Sequence, residues 1–255
     1  MPIYVCVKHV PDTAANIKVD GGTGYDPEVK YVANPYDEYG IEAAVQLTES
    51  RGSGEVVAVC VGGEGAVNTL RAAMAMGVHR SILVKNDAQL TGSRTTAAAL
   101  ARAIQEDGEP ELVFCGKQSV DAEGMQTPYW LGAELGLPAV TDISGFAMEG
   151  NTAVLRRELG GGTRETLSVE GPCVIGATKG MNEPRFPKLP AILKAKKKEI
   201  RQMDMAAMDL PRAKDFSLKC LEPVAERSSA RILEGDAAQA VETLVRILAE
   251  DEKVI

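Results

Sequence analysis

Along the first 136 residues, short apolar runs alternate with stretches whose apolar positions recur every three to four residues. Segments 3–7, 56–61, 80–84 and 112–115 are largely apolar, the pattern of strands covered on both faces. Between and after them, 35–49, 65–76, 95–106 and 128–135 carry helical periodicity. Asn34-Pro35 offers an N-cap and a first-turn proline to the first of these helices. Strands separated by helices of this length predict β-α-β units, hence an α/β fold with an open parallel sheet and right-handed crossovers. After Gly136 the helices stop. Segments 140–148, 152–158, 165–169 and 173–178 are separated by Gly- or Asn-containing turns and predict strands that extend or flank the sheet. From 179 periodicity is lost until 237–250, an amphipathic helix. The stretch 180–223 holds several prolines, a lysine run and a Met-rich segment, and it predicts an arm lying on another chain rather than a core of its own. The expected division is an α/β domain over 1–178 and an arm over 179–255.

Composition narrows the class. With 45% hydrophobic and 25% charged residues, the 255-residue chain can bury a substantial core. A formal charge of -8 argues against a general nucleic-acid binder. Cys6, Cys60, Cys115, Cys173 and Cys220 show no C-x-x-C spacing, and the first four sit in apolar runs as small buried hydrophobes. An odd cysteine count without framework spacing fits a reducing compartment. Residues 1–10 have no signal-peptide profile, and no apolar run approaches the roughly 20 residues of a membrane span. The expectation is a cytoplasmic protein without membrane insertion.

The most informative loop is Gly116-Lys117-Gln118-Ser119-Val120-Asp121, continuing through Gln126 and Thr127. It leaves a strand and enters a helix, where backbone N–H groups can receive a phosphate. Gly62-Gly63-Glu64-Gly65 and Asn34-Pro35-Tyr36-Asp37 lie at two further strand ends, so three ends converge on one expected nucleotide. The glycine run matches neither a Walker A loop nor a complete G-x-G-x-x-G. Lys194, Lys196, Lys197 and Lys198 follow the apolar Leu189-Pro190-Ala191-Ile192-Leu193, a combination suited to docking on an acidic protein surface. The histidines, His9 and His79, lack metal-ligand spacing, and no nucleophile with a paired base stands out. Asp12, Asp20 and Asp37 are carboxylates whose default roles are solvated or capping. The chain offers a place for a nucleotide and no machinery to transform one.

Several blocks, in order, resemble the beta subunit of electron-transfer flavoproteins: Val7-Lys8-His9-Val10, Asn34 to Glu38, Ala73-Met74-Ala75-Met76-Gly77, Gly116 to Asp121, and Asn182-Glu183-Pro184-Arg185-Phe186 followed by 189–198. They cover roughly residues 1–200. The resemblance implies a Rossmann-like fold of the adenine-nucleotide alpha hydrolase-like group, with a C-terminal arm embracing an alpha subunit in an obligate heterodimer. It implies FAD held mainly on that alpha subunit, partner dehydrogenases as electron donors, and a separate electron acceptor. It assigns a nucleotide site to Cys6, Lys8, Asn34, Pro35, Tyr36, Asp37, Val61, Lys117, Gln118, Ser119, Val120, Asp121, Gln126 and Thr127. Partner docking is assigned to Leu189, Ile192, Lys194 and Lys197, and Glu158 lies near a carboxylate that helps position the flavin domain.

The resemblance leaves the nucleotide open. Ordinary members hold AMP; electron-bifurcating members hold a second FAD there, which accepts hydride from NADH. Val10-Pro11-Asp12-Thr13 and 18–30 look like the second kind, whereas Tyr36-Asp37-Glu38 and Asn182-Glu183-Pro184-Arg185 look like the first. AMP is the reading taken. Two rivals share the fold group: an ATP-cleaving or adenylating enzyme, which needs a complete triphosphate loop, and a free adenine-nucleotide binder, which needs no arm.

Overall fold

The computed structural model describes residues 1–19, 22–24, 28–88, 90–210, 217–223 and 230–255. Asp20 lies outside the described residues. The chain forms two compact units, 1–221 and 222–255.

In the first unit, β1 (Ile3–Cys6) is followed by two short strands, β2 (His9–Pro11) and β3 (Tyr31–Ala33), which pair with each other antiparallel. Their three-residue length is too short to leave an alternation in the sequence. Then come α1 (Pro35–Arg51), β4 (Val56–Gly62), α2 (Ala66–Ala75), β5 (Arg80–Lys85), α3 (Ser93–Asp107), β6 (Leu112–Gly116) and α4 (Thr127–Leu135). A meander of β7 (Ala139–Glu149), β8 (Thr152–Gly160) and β9 (Thr163–Glu170) precedes β10 (Val174–Ala177). The unit continues with α5 (Leu189–Ala195) and β11 (Ile200–Asp204).

Among the described residues, nine strands form one sheet in the order β11-β5-β4-β1-β6-β10-β7-β8-β9. Neighbours from β11 to β7 run parallel, and β8 and β9 continue antiparallel. The fold is α/β with a mostly parallel sheet, as the alternation predicts, and Rossmann-like, as the resemblance implies. Both faces of the parallel part are covered. Ile3 and Val5 of β1 pack with Ile41, Ala44, Leu70 and Met74 of α1 and α2. Tyr4 and Cys6 point the other way, among Leu100 and Ile104 of α3 and Leu131 of α4. That two-sided burial is why these strands are apolar without interruption. Gly40 lets α1 approach the sheet closely, since a Cβ there would sit 3.0 Å from Phe114 Cβ. At the amino edge of the sheet, Arg80 bridges Glu55 and Asp107, and the Tyr4 hydroxyl donates to Asp107 at 2.8 Å.

The stretch 180–223 departs from its expected irregularity. It contains α5, and β11 adds to the sheet edge in parallel register with β5, from Ile200↔Ser81 to Asp204↔Lys85. An edge strand is hydrogen-bonded on one side and need bury little, so Ile200-Arg201-Gln202-Met203-Asp204 carries no apolar run.

The second unit holds α6 (Ala237–Arg246), started by a capping box between Asp236 and Gln239 and continued by a π-helical turn over Ile247–Asp251. Val241, Leu244 and Val245 form an exposed apolar stripe on it. Among the described residues no helix is long and apolar enough to cross a membrane.

Candidate nucleotide site

The chain runs from β1 outward through β4 and β5, then returns to place β6 on the other side of β1. The carboxyl ends of β1 and β6 therefore mark a topological switch point, where the loops of an open α/β sheet diverge and leave a crevice. A cavity opens there. Cys6, Val7 and Lys8 at and just after the end of β1, Val61 from β4, and Cys115 to Ser119 at and just after the end of β6 line it. Asn34 and Asp37 enter from the start of α1.

Asp37 ties these elements together. Its Oδ2 accepts the Lys8 backbone N–H at 2.7 Å, and its Oδ1 accepts the Gly116 N–H at 2.8 Å and Asn34 Nδ2 at 2.9 Å. One carboxylate thus joins the ends of the two central strands to the first turn of α1. Burial pushes its pKa up to about 7, against the pull of those three donors and of Lys8. Gly116 is needed for this approach, since a Cβ there would lie 2.5 Å from Asp37 Oδ1 and 2.6 Å from Tyr36 Cβ.

Asn34 occupies the N-cap position with Pro35 behind it, as the sequence predicts, but its side chain does not cap the helix. The amide is recruited instead by the 116–127 loop: Nδ2 donates to Gln118 O at 2.9 Å, and Oδ1 accepts Val120 N–H at 3.1 Å. Lys8 Nζ reaches the same loop, donating to Ser119 Oγ at 3.2 Å and pairing with Asp121 at 2.8 Å. Lys117 Nζ pairs with Asp142 at 2.9 Å and lies 5.8 Å from the Tyr36 ring centre. Farther along, Glu123 and Met125 take left-handed backbone angles (φ 49° and 54°), a cost of roughly 1–2 kcal/mol each that the packed loop must offset.

Of the residues expected at the site, Cys6, Lys8, Asn34, Asp37, Val61, Lys117, Gln118, Ser119, Gln126 and Thr127 line the cavity. Pro35, Tyr36, Val120 and Asp121 do not line it: Pro35 and Tyr36 start α1, Val120 donates its N–H to Asn34, and Asp121 pairs with Lys8 and lines a second, adjoining cavity. Sequence reasoning missed Thr91, Ser93, Thr96 and Leu100, which bring the start of α3 into the cavity. Thr91-Gly92-Ser93 follows β5 and opens a helix, but β5 lies away from the switch point and its polar loop reads like any other strand-to-helix connection.

These additions complete a donor set. Neither α3 nor α4 has a side-chain cap hydrogen bond at its N-terminus, and Ser93, Thr96, Thr127 and Pro128 of their first turns line the cavity. Helix starts offer N–H groups and positive potential to an anion. Leu100, Val61 and Cys6 add apolar lining. A planar base against that lining and a phosphate at the helix starts fit the residues present.

A second cavity adjoins the first and shares Lys8, Val61, Thr91 and Thr96 with it. Gly62, Gly63, Gly65, Asn86 and Asp87 line it, as do His9 and Tyr31, whose rings stack with centroids 4.3 Å apart. His9 Nδ1 is 2.7 Å from Thr69 Oγ1, and burial pushes the imidazole pKa down, favouring its neutral form. The glycine run thus borders this second cavity, while the 116–127 loop borders the first and contributes Asp121 to the second.

Elsewhere, Leu189, Ile192, Lys194 and Lys197 are exposed together on and just after α5. Glu158 lies on the β7–β8 hairpin, where its Oε1 accepts from Ser144 Oγ at 2.6 Å and Arg164 Nε at 2.8 Å.

Residues 25–208 match the family model of the electron transfer flavoprotein domain. The chain is 32% identical over 262 residues to the electron transfer flavoprotein subunit beta of Bacillus subtilis, covering 100% of both chains. It is 35% identical to the subunit beta of Bradyrhizobium diazoefficiens, over 96% of this chain and 97% of that one. It is also 35% identical to the mitochondrial subunit beta of Arabidopsis thaliana, over 91% and 93%. With the family domain spanning most of the sequence and subunit-beta relatives aligned end to end, this chain belongs to the electron transfer flavoprotein beta-subunit family.

Proposed function

We propose that this chain is the nucleotide-holding, partner-docking half of a heterodimeric electron carrier, and that its switch-point cavity takes AMP. The observation that carries this reading is the convergence of two uncapped helix starts, two lysines and apolar lining on one crevice. Those features suit a purine monophosphate. The electron-carrying FAD belongs mainly to the alpha subunit and supplies the redox chemistry when bound. This chain's residues hold the platform: Asp37 and Asn34 fix the strand ends and the loop, Lys8 and Lys117 set the local charge, and bound AMP stabilises the folded state by mass action without turning over.

The exposed α5, with Leu189 as anchor and Lys194 and Lys197 as a basic flank, docks a donor dehydrogenase, and the remaining arm with α6 packs on the alpha subunit. The exposed stripe Val241, Leu244 and Val245 supports that assignment. Buried Cys6, Cys60, Cys115 and Cys173, none in a disulfide, support a reducing compartment, the cytoplasm in this reading.

The adjoining cavity favours a second reading, in which a dinucleotide such as a second FAD extends from the first cavity past His9 and Tyr31. Native mass spectrometry of the gently purified heterodimer, with flavin quantified by absorbance, separates the two. One flavin and one AMP per heterodimer is expected. Two flavins and no AMP would replace AMP by FAD in this chain.

A further inference from the structure

α5 is seven residues long, too short to persist as a helix by its own hydrogen bonds. Burial does little for it: Ala195 is covered, but Leu189, Ile192 and Leu193 are exposed, and no side chain caps its start. Side chains at its two ends hold it instead.

At the far end, Arg71 of α2 donates from Nη1 to the carbonyls of Ala195 at 2.6 Å and Lys198 at 2.5 Å. Lys198 reciprocates, donating from Nζ to the carbonyls of Met74 at 3.2 Å and Val78 at 2.5 Å, in and just beyond the last turn of α2. Each helix end is closed by a cation from the other segment, where exposed end carbonyls and the negative end of the helix dipole favour one. At the near end, Asn182 Nδ2 donates to Tyr39 O at 2.9 Å. Arg185 forks across two carboxylates of α1, with Nε 2.8 Å from Glu42 Oε2 and Nη1 2.7 Å from Glu49 Oε1. The Glu42 side chain is only 4% exposed. Burial pushes its pKa up, but the Arg185 hydrogen bonds outweigh this and hold it below the usual carboxylate range. A cation fixed over a buried carboxylate makes a firm anchor, because leaving that charge unpaired is costly.

We propose that Arg185, Arg71 and Lys198 are positioning residues for partner docking: they staple the segment around α5 to α1 and α2, so that its apolar residues are presented before a partner arrives. Ordering them in advance removes a cost that would otherwise fall on binding. This rests on the reading that α5 docks a dehydrogenase. It adds why a nearly coreless helix can do so.

The test uses the intact heterodimer carrying Arg71→Gln or Arg185→Gln, with Leu189→Ala as reference. The electron donor is the dehydrogenase recovered by affinity capture on the wild-type heterodimer. Hydrogen exchange by mass spectrometry reports the amides of α5, and steady-state transfer to a dye gives KM and kcat for the donor. Both Gln variants are expected to exchange α5 amides faster and to raise KM roughly tenfold, a loss of about 1.4 kcal/mol of docking free energy. The kcat at saturating donor and the bound-nucleotide content should stay at wild-type values. If Leu189→Ala raises KM while neither Gln variant does, the staple proposal is overturned and docking stands. If Leu189→Ala leaves KM unchanged, the docking reading falls and takes the proposal with it. Should Arg185→Gln fail to assemble, Glu49→Gln removes only the exposed half of that fork, and the same shift in KM is expected at smaller size.

Discussion

The switch-point crevice and the α5 segment are both loop-borne, yet they are held in opposite ways. The crevice is shaped by the ends of three buried strands, and one buried carboxylate, Asp37, joins two of them through backbone N–H groups. The α5 segment has almost no core beneath it and is kept in place by long cationic side chains reaching backbone carbonyls and carboxylates. A change in the crevice should therefore disturb folding and ligand together. A change on the apolar face of α5 should disturb partner recognition alone.

The sharpest break in that contrast comes from Gly116→Val. Its side chain would collide with Asp37 and Tyr36, so we expect a loss of about 3 kcal/mol or more and a preparation without bound nucleotide. Thermal denaturation and mass spectrometry measure the two effects; a stable variant with full nucleotide would mean that the crevice tolerates repacking.

Next in size is Asp37→Ala, which strips three N–H donors of their acceptor and should cost about 1–3 kcal/mol. The conservative Asp37→Asn probes charge. The folded-state pKa of Asp37 is raised by burial from 3.8 to about 7, so folding favours the protonated acid. Its contribution is complete below the unfolded value and is lost as pH rises through about 7. Wild-type stability should thus decline with rising pH across that window more than the stability of Asp37→Asn does. Urea titrations at several pH values read the difference, and parallel profiles would remove Asp37 as its source.

On the other side of the comparison, Leu189→Ala should slow transfer from a donor dehydrogenase about tenfold, in line with the loss of one buried interface anchor. Its side chain is 68% exposed, so melting temperature and nucleotide content should not move. A fall in stability would show that Leu189 is part of the fold after all. The smallest effect belongs to Lys194→Gln with Lys197→Gln: a few-fold weaker association at low salt that fades as ionic strength rises, measured by stopped-flow mixing.

Much of the crevice was legible in the sequence because its residues sit where strands end. Lys8 and Lys117 to Ser119 each follow an apolar run that announces itself, and the switch-point rule says where such ends point, whereas Asn34 and Asp37 are marked by the helix start at Asn34-Pro35. Thr91 to Leu100 escaped because nothing in their composition distinguishes one polar strand-to-helix loop from another. Asn34 shows the limit at a single residue: the capping position was readable, but the diversion of its amide to Gln118 and Val120, more than 80 residues away, was not.

The parallel α/β core, the helix starts and the exposed basic run are written in the order of residues, since these follow from local periodicity and from which side chains can bear burial. Tertiary structure alone decided that β11 joins the sheet and that Asp37 spans two strand ends. It also decided that Arg71 and Arg185 fasten α5. The physical reason is common to all three. A backbone edge, a buried carboxylate and a guanidinium can each be satisfied by many partners, and only the folded chain selects which one comes within hydrogen-bond reach.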